Sequence, residues 1–234
     1  METSLHKQLK HRYASEESQT EVVFEGYRID AIADNGELIE IQHASLGALR
    51  DKTRKLLKNT KKTLRIVKPI LARKRVSTLD GPDGEVIRSR MSPKRGEIID
   101  VFEDLVHFSS VFPLRRLILE VLLVETEEIR IDRERPSRRG KKYKTLDQRL
   151  TSVDQATELR LKSDLVRLLP YKSLPRVFDT SQLAEAIGRP RWLAQKVAYC
   201  LRETGAAKIA GKEGNSLKYS LMPIRAKTRK KPAA

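Results

Sequence analysis

Two carboxylates and an amide interrupt an apolar pattern near the start of this chain: Asp30, Glu40 and Gln42. They fall within TEVVFEGYRIDAIADNGELIEIQ, which reads as three short strands joined by two tight turns, and the basic amphipathic stretch SLGALRDKTRKLLKN follows at once. Carboxylates projecting from adjacent strands form half a shell for a hard divalent cation such as Mg2+ or Mn2+, which binds oxygen donors and retains several waters. Such an ion lowers the pKa of a bound water and clamps phosphate oxygens, and phosphodiester hydrolysis needs both. The three side chains therefore read as a metal site for cutting nucleic acid. On spacing alone they read equally as the solvated face of a half-buried hairpin.

The flanking pattern supplies the elements that must position them. Turns are expected at Glu25-Gly26 and at Asp34-Asn35-Gly36, because Gly and Asn tolerate the positive φ that two-residue hairpin loops require. Period-two alternation puts Ile39 and Ile41 on one face of the third strand and Leu38, Glu40 and Gln42 on the other. Ahead of the strands, Leu5, Leu9 and Tyr13 lie four apart on one helix face, with Glu2 and His6 on a neighbouring stripe. After them, Ser45 caps a helix that buries Leu46, Leu49, Leu56 and Leu57 and exposes Arg50, Lys52, Arg54, Lys55 and Lys58. Arg50, Arg54, Lys55 and Lys58 are candidate phosphate contacts. A mostly buried strand is expected at 63–71.

This order of helix, three strands, helix and strand resembles the PD-(D/E)XK nuclease superfamily, whose signature is an Asp on the second strand and Glu-x-Lys on the third. The resemblance covers residues 2–71, with Asp30, Glu40 and Gln42 in the matching places. It implies an α/β (α+β) fold with a restriction-endonuclease-like mixed sheet and a Mg2+- or Mn2+-dependent endonuclease. By that resemblance Asp30, Glu40 and Gln42 are catalytic and Asp30 and Glu40 hold the metal. Glu2 takes the place of the helix-one glutamate that some members add as a ligand. Glutamine at the lysine position is a departure: it neither accepts a proton nor carries positive charge. Its remaining roles are to orient the water or lend a carbonyl to the metal, and a dead site is the alternative. His6 and His43 are near, but lone histidines read as structural or solvated.

Composition favours a polyanionic partner. With 48 Lys and Arg against 31 Asp and Glu, the formal charge of +17 points to DNA or RNA, whose phosphates supply most non-specific affinity. The longest apolar run, 121–124, is far short of the ~20 residues that a membrane span needs. The basic amphipathic start has no apolar signal core, and a single cysteine, Cys200, suits a reducing compartment. A cytoplasmic, nucleoid-associated protein is expected, with double-stranded DNA as partner, no membrane, and a homodimer allowed.

Farther along, a hairpin is expected around 80–84, a helix at 97–108 and one long strand or two joined strands over 116–131. Glu120, Glu125, Glu127 and Glu128 have no partnering Asp at a meaningful spacing. The basic run RERPSRRGKKYK reads as a phosphate-binding loop or linker. In the last third, Thr180 or Ser181 caps a helix that Gly188 ends, Pro190 opens a second, and two strands flank 211–215. This resembles a winged helix over residues 160–222. By that resemblance 191–202 is the recognition helix, with Arg191, Gln195, Lys196, Tyr199 and Arg202 as contacts and Lys212 on the wing. Trp192 and Cys200 are expected in the core.

The expected organisation is a nuclease-like domain at 1–132, a basic linker at 133–158, a winged helix-turn-helix domain at 159–222 and a basic tail at 223–234. The function that follows is metal-dependent endonucleolytic cleavage of DNA. The alternatives are a non-catalytic DNA-binding regulator on a degenerate nuclease fold and a structured-RNA-binding factor.

Overall fold

Strand β3 (Leu38–Ile41) sits inside a seven-stranded mixed sheet of order β1-β2-β3-β4-β6-β7, with β5 paired to β4 beside this path. The computed structural model describes residues 2–14, 16, 19–135, 140 and 142–223. The basic tail lies outside them except for Pro223, as does part of the basic run at 136–141.

Strands β1 (Thr20–Phe24) and β2 (Tyr27–Ile32) form a tight hairpin, paired from Thr20↔Ala31 to Phe24↔Tyr27. Its two turn residues, Glu25 and Gly26, both have positive φ (50° and 74°), so the turn follows the right-handed twist of the strands. β3 returns antiparallel to β2, then lies parallel to β4 (Leu64–Leu79). A parallel neighbour requires a crossover. Helix α2 (Arg50–Asn59) provides it, entered through a 3-10 turn (Leu46–Leu49) that the Ser45 hydroxyl caps.

β4 continues well past the expected residue 71 and turns back as β5 (Val86–Met91). The helix expected at 97–108 is a 3-10 turn (Ile98–Val101) running into a single helical turn, α3 (Phe102–Leu105). β6 (Leu117–Asp132) is one unbroken strand, parallel to β4. Its first half is buried on both faces and its second half on alternate residues, so helices cover the sheet at one end only.

The expected linker at 133–158 needs correction, because most of it is β7 (Tyr143–Leu159), antiparallel to β6 at the sheet edge. Its side chains are mostly polar, and all but Leu159 are exposed or half-buried, as an edge strand's are when it must avoid pairing with other chains.

Each face of the sheet has its own apolar cluster. On one, helix α1 (Ser4–His11) sets Leu5 and Leu9 against Ala31, Ile39, Ile41, Val67, Leu122 and Val124. On the other, Leu46, Leu56, Leu64, Phe102 and Leu119 form a core continuous with Leu165, Leu183, Leu193, Val197 and Leu201. The latter residues belong to or flank α4 (Lys162–Arg167), α5 (Thr180–Ile187) and α6 (Arg191–Glu203).

α5 is capped by Asp179, not by Thr180 or Ser181: its carboxylate accepts the Ser181 and Gln182 N–H groups. Gly188 ends α5 with φ of 61°, where a side chain would be strained. α6 follows, then the hairpin β8 (Ala207–Glu213) and β9 (Ser216–Leu221). Trp192, expected in the core, is 47% exposed instead, because Leu193, Val197 and Leu201 take the inner face of α6.

Cys200 is fully buried and its thiol is pushed up to about 12 by that burial. It should resist thiol reagents at pH 8 and react only once the chain unfolds. Labelling with and without denaturant, read by mass spectrometry, checks this.

Candidate active site

The ladder between β2 and β3 runs through Ala31↔Ile39 and Ile32↔Leu38. Beside it, a side chain takes over a backbone hydrogen bond: Asp30 Oδ2 accepts the Ile41 N–H at 2.7 Å, next to Glu40 in the chain. Asp30 is therefore held against β3 beside Glu40.

Their protonation differs. Burial opposes ionisation of Asp30, but hydrogen bonds from His6 and the Ile41 N–H outweigh it and hold the carboxyl below its ordinary value. Glu40 is more deeply enclosed, and burial pushes it up to about 7 despite the opposing pull of Lys52.

Lys52 reaches over from α2 with Nζ at 2.5 Å from Glu40 Oε1, and it also donates to the Arg28 carbonyl. An ammonium is thus present beside the second carboxylate, supplied from another element. Gln42 stands apart from this pair: its Nε2 donates to the Ser45 carbonyl at 2.7 Å and secures the approach to α2.

A second group of ligand-type side chains adjoins Asp30. Glu2, just ahead of α1, and His6 and Lys10, on one stripe of it, recur every four residues, and Glu2 pairs with both. His6 Nε2 lies 3.6 Å from Glu2 Oε1 and 3.4 Å from Asp30 Oδ1, wedged between two carboxylates. Glu21 joins from β1, and donor atoms of Glu2, His6 and Glu21 all lie within 4.8 Å of one another. Lys10 Nζ bridges Glu2, at 2.5 Å, and Glu21. Glu2, His6 and Glu21, together with Arg28, His43 and Gln148, border a surface cleft of about 560 Å³.

The donor set of carboxylates and an imidazole suits Mn2+ or Mg2+, and Glu2, His6 and Glu21 are the residues whose donor atoms could share such an ion, with Asp30 adjoining through His6. Lys10 and His6 now satisfy carboxylate oxygens that an ion would share. Of the expected residues, Asp30 and Glu2 both lie against His6, Glu40 pairs with Lys52, and Gln42 donates to the Ser45 carbonyl. His6, Lys10, Glu21 and Lys52 were not singled out as site residues. The spacing of Glu2, His6 and Lys10 carried a signal for the first two of these, whereas Glu21 and Lys52 are brought in by strand pairing and helix packing.

The helix stripe depends on β7. Asp147 takes the Ser4 N–H at 2.9 Å and the Ser4 hydroxyl at 2.6 Å, while Gln8 accepts the Leu150 N–H. Burial opposes ionisation of Asp147, but these donors hold its carboxyl below the ordinary value, so the stabilisation is present above about pH 4 and is lost as pH falls through the folded-state value. Asp147→Ala should cost about 1 kcal/mol at pH 7, as loss of a helix cap does. The difference from the unaltered protein should shrink below about pH 4, which denaturation at a series of pH values measures.

The candidate nucleic-acid contacts occupy two places. On α2, Arg50, Arg54, Lys55 and Lys58 are exposed, and Arg54 also donates to the Ser110 hydroxyl at 3.0 Å. On α6, Arg191, Gln195 and Tyr199 are exposed, with Lys196 and Arg202 beside them. Lys196 lies over the Trp192 ring and Arg202 over Tyr199, so cations and aromatic faces alternate along the helix. Lys212 is exposed on the β8–β9 hairpin, and Lys218 is paired with Asp179 and Glu213.

Residues 3–160 match the model of a domain of unknown function, DUF8091. The chain belongs to the DUF8091 family. The DUF8091 match runs from α1 to the end of β7, so it contains Glu21, Asp30 and Glu40 but not Glu2, and stops before α4. The chain is also similar to an uncharacterized protein of Treponema pallidum (strain Nichols), 28% identical over 222 residues, spanning 95% of this chain and 86% of that one. No solved structure matches the chain. Among the described residues no helix is long and apolar enough to cross a membrane.

Proposed function

We propose that this DUF8091 protein is a metal-dependent endonuclease acting on double-stranded DNA, with the PD-(D/E)XK type of core and a winged-helix module that grips the duplex. The observation that carries the reading is the adjacency of Asp30 and Glu40 with an ammonium, Lys52, on the second carboxylate. Supporting it, the elements follow in the order helix, three strands, helix and strand on which the resemblance rests.

In this reading Mg2+ or Mn2+ supplies an acidified water and charge relief at the phosphate. Asp30, kept ionised by His6 and the Ile41 N–H, holds its negative charge beside the His6 imidazole. Lys52 supplies the positive charge that Gln42 lacks, and its Nζ is positioned to hydrogen-bond a phosphate oxygen beside Glu40. Glu2, His6 and Glu21 complete the polar wall. The exposed cations of α2 and the alternating cations and rings of α6 bind phosphates and sugars on either side.

The test incubates plasmid, linear duplex, single strands, branched DNA and RNA with the protein, with Mg2+, Mn2+ or EDTA. Cleavage of duplex that EDTA abolishes supports the proposal. A specific observation favours a second reading, a non-catalytic DNA-binding protein on a degenerate nuclease fold: Lys10, His6 and Lys52 already pair with the carboxylates. Tight duplex binding without cutting in either metal selects it.

A further inference from the structure

At the far end of the long strands, away from the carboxylates, lies a second cleft of about 470 Å³. It is bordered by Arg88 and Arg90 from β5, Arg130 from β6, and Arg133, Lys142 and Tyr143 from the connection into β7. Asp132 is the one acidic side chain on its wall, and it faces Arg88 at 3.6 Å.

Arg130 is the telling residue. It is only 7% exposed, yet among the described residues it makes no ion pair. Its guanidinium has the Thr78 hydroxyl at 3.4 Å and the Tyr143 ring, 4.3 Å from its centre. A guanidinium removed from water without a counter-charge is unfavourable, and a planar cation with free donors suits a bidentate anion such as phosphate. Arg90 and Lys142 are exposed beside it and make no ion pair among the described residues. A solvated surface patch would not bury its central arginine.

We infer that this cleft binds backbone phosphates of a nucleic-acid duplex. The nucleic-acid source rests on the function proposed above, whereas the affinity for a phosphate group follows from the cleft alone. Its position gives the inference a scale. Ile66 pairs with Glu40, and Thr78, twelve residues farther along β4, pairs with Arg130. At about 3.3 Å per residue the cleft is roughly 40 Å from the carboxylates along the strand. That is a little more than one turn of B-form duplex, about 34–36 Å. One duplex laid along the sheet would meet both sites.

The test compares Arg90→Ala/Lys142→Ala, which removes exposed cations only, with Arg130→Gln and the unaltered full-length protein. Circular dichroism first establishes that each is folded. Binding of a labelled 30-base-pair duplex is measured across a salt series, pyrophosphate binding is measured by calorimetry, and hydroxyl-radical footprints are taken. For the double variant the inference expects the dependence of log affinity on log salt to fall by about two, since each phosphate contact contributes about 0.9. Duplex affinity near 0.15 M salt falls about tenfold or more, and protection about one helical turn from the cleavage position disappears.

Duplex binding and footprint unchanged in the double variant would overturn the inference. Loss of pyrophosphate binding with duplex binding intact would overturn it too, and would assign the cleft to a small phosphorylated ligand. Failure of the nuclease proposal reads differently: no metal-dependent cutting, while duplex binding still depends on Arg90 and Lys142.

Discussion

Asp30→Asn and Glu40→Gln should each reduce metal-dependent cleavage of duplex DNA by about a hundredfold to a thousandfold, the loss seen when one charge-stabilising group leaves an active site. Both replacements retain the structural hydrogen bonds. Asparagine still accepts the Ile41 N–H through its side-chain oxygen, and glutamine still accepts from Lys52. What each removes is the negative charge, so fold and duplex affinity should remain.

Lys52→Met belongs to the same experiment. It should lower the rate by a comparable factor, whereas Gln42→Ala should have little effect, because the Gln42 amide is spent on the Ser45 carbonyl. Single-turnover cleavage at saturating protein separates these outcomes from weakened binding. Unchanged rates in Asp30→Asn and Glu40→Gln would end the enzymatic proposal, and a large loss in Gln42→Ala with none in Lys52→Met would reverse the roles assigned here.

Phe102→Ala should destabilise the protein by about 3–5 kcal/mol. Phe102 is fully buried at the start of α3, where the core beneath the sheet meets the carboxy-terminal helices, and its carbonyl faces the Cys200 thiol of α6 at 3.9 Å. Next to it, Arg189, between α5 and α6, pairs with Asp100 and with Glu97. Because the apolar cluster is continuous across this junction, the loss should lower the denaturation midpoint of the whole chain in a single transition. Fluorescence of Trp192, on α6, and far-ultraviolet circular dichroism should report the same midpoint. Separate midpoints would show that α4 to β9 unfold independently of the sheet.

Some expectations failed for physical reasons that particular residues make plain. β7 reads as a linker because YKTLDQRLTSVDQATEL is polar along most of its length, and an edge strand with one open side has little apolar surface to announce it. Trp192 reads as core because it is large and apolar, but Leu193, Val197 and Leu201 already fill the inner stripe of α6. Gln42 follows Glu40 by two and shares its face by alternation, yet β3 ends at Ile41 and the chain turns toward Ser45.

The amino-acid order determined what short-range forces decide. The Glu25-Gly26 turn, the Ser45 cap, the Gly188 stop and the alternation along β3 each depend on a few consecutive residues, and each could be read directly. Which charges meet was left to the tertiary structure. Glu21 reaches His6 and Lys52 reaches Glu40 across gaps of 15 and 12 residues, because strand pairing and the crossover helix bring them together. Arg130 loses its water in the same way, when β4 and β7 close on either side of β6, and no local pattern of residues encodes such an approach.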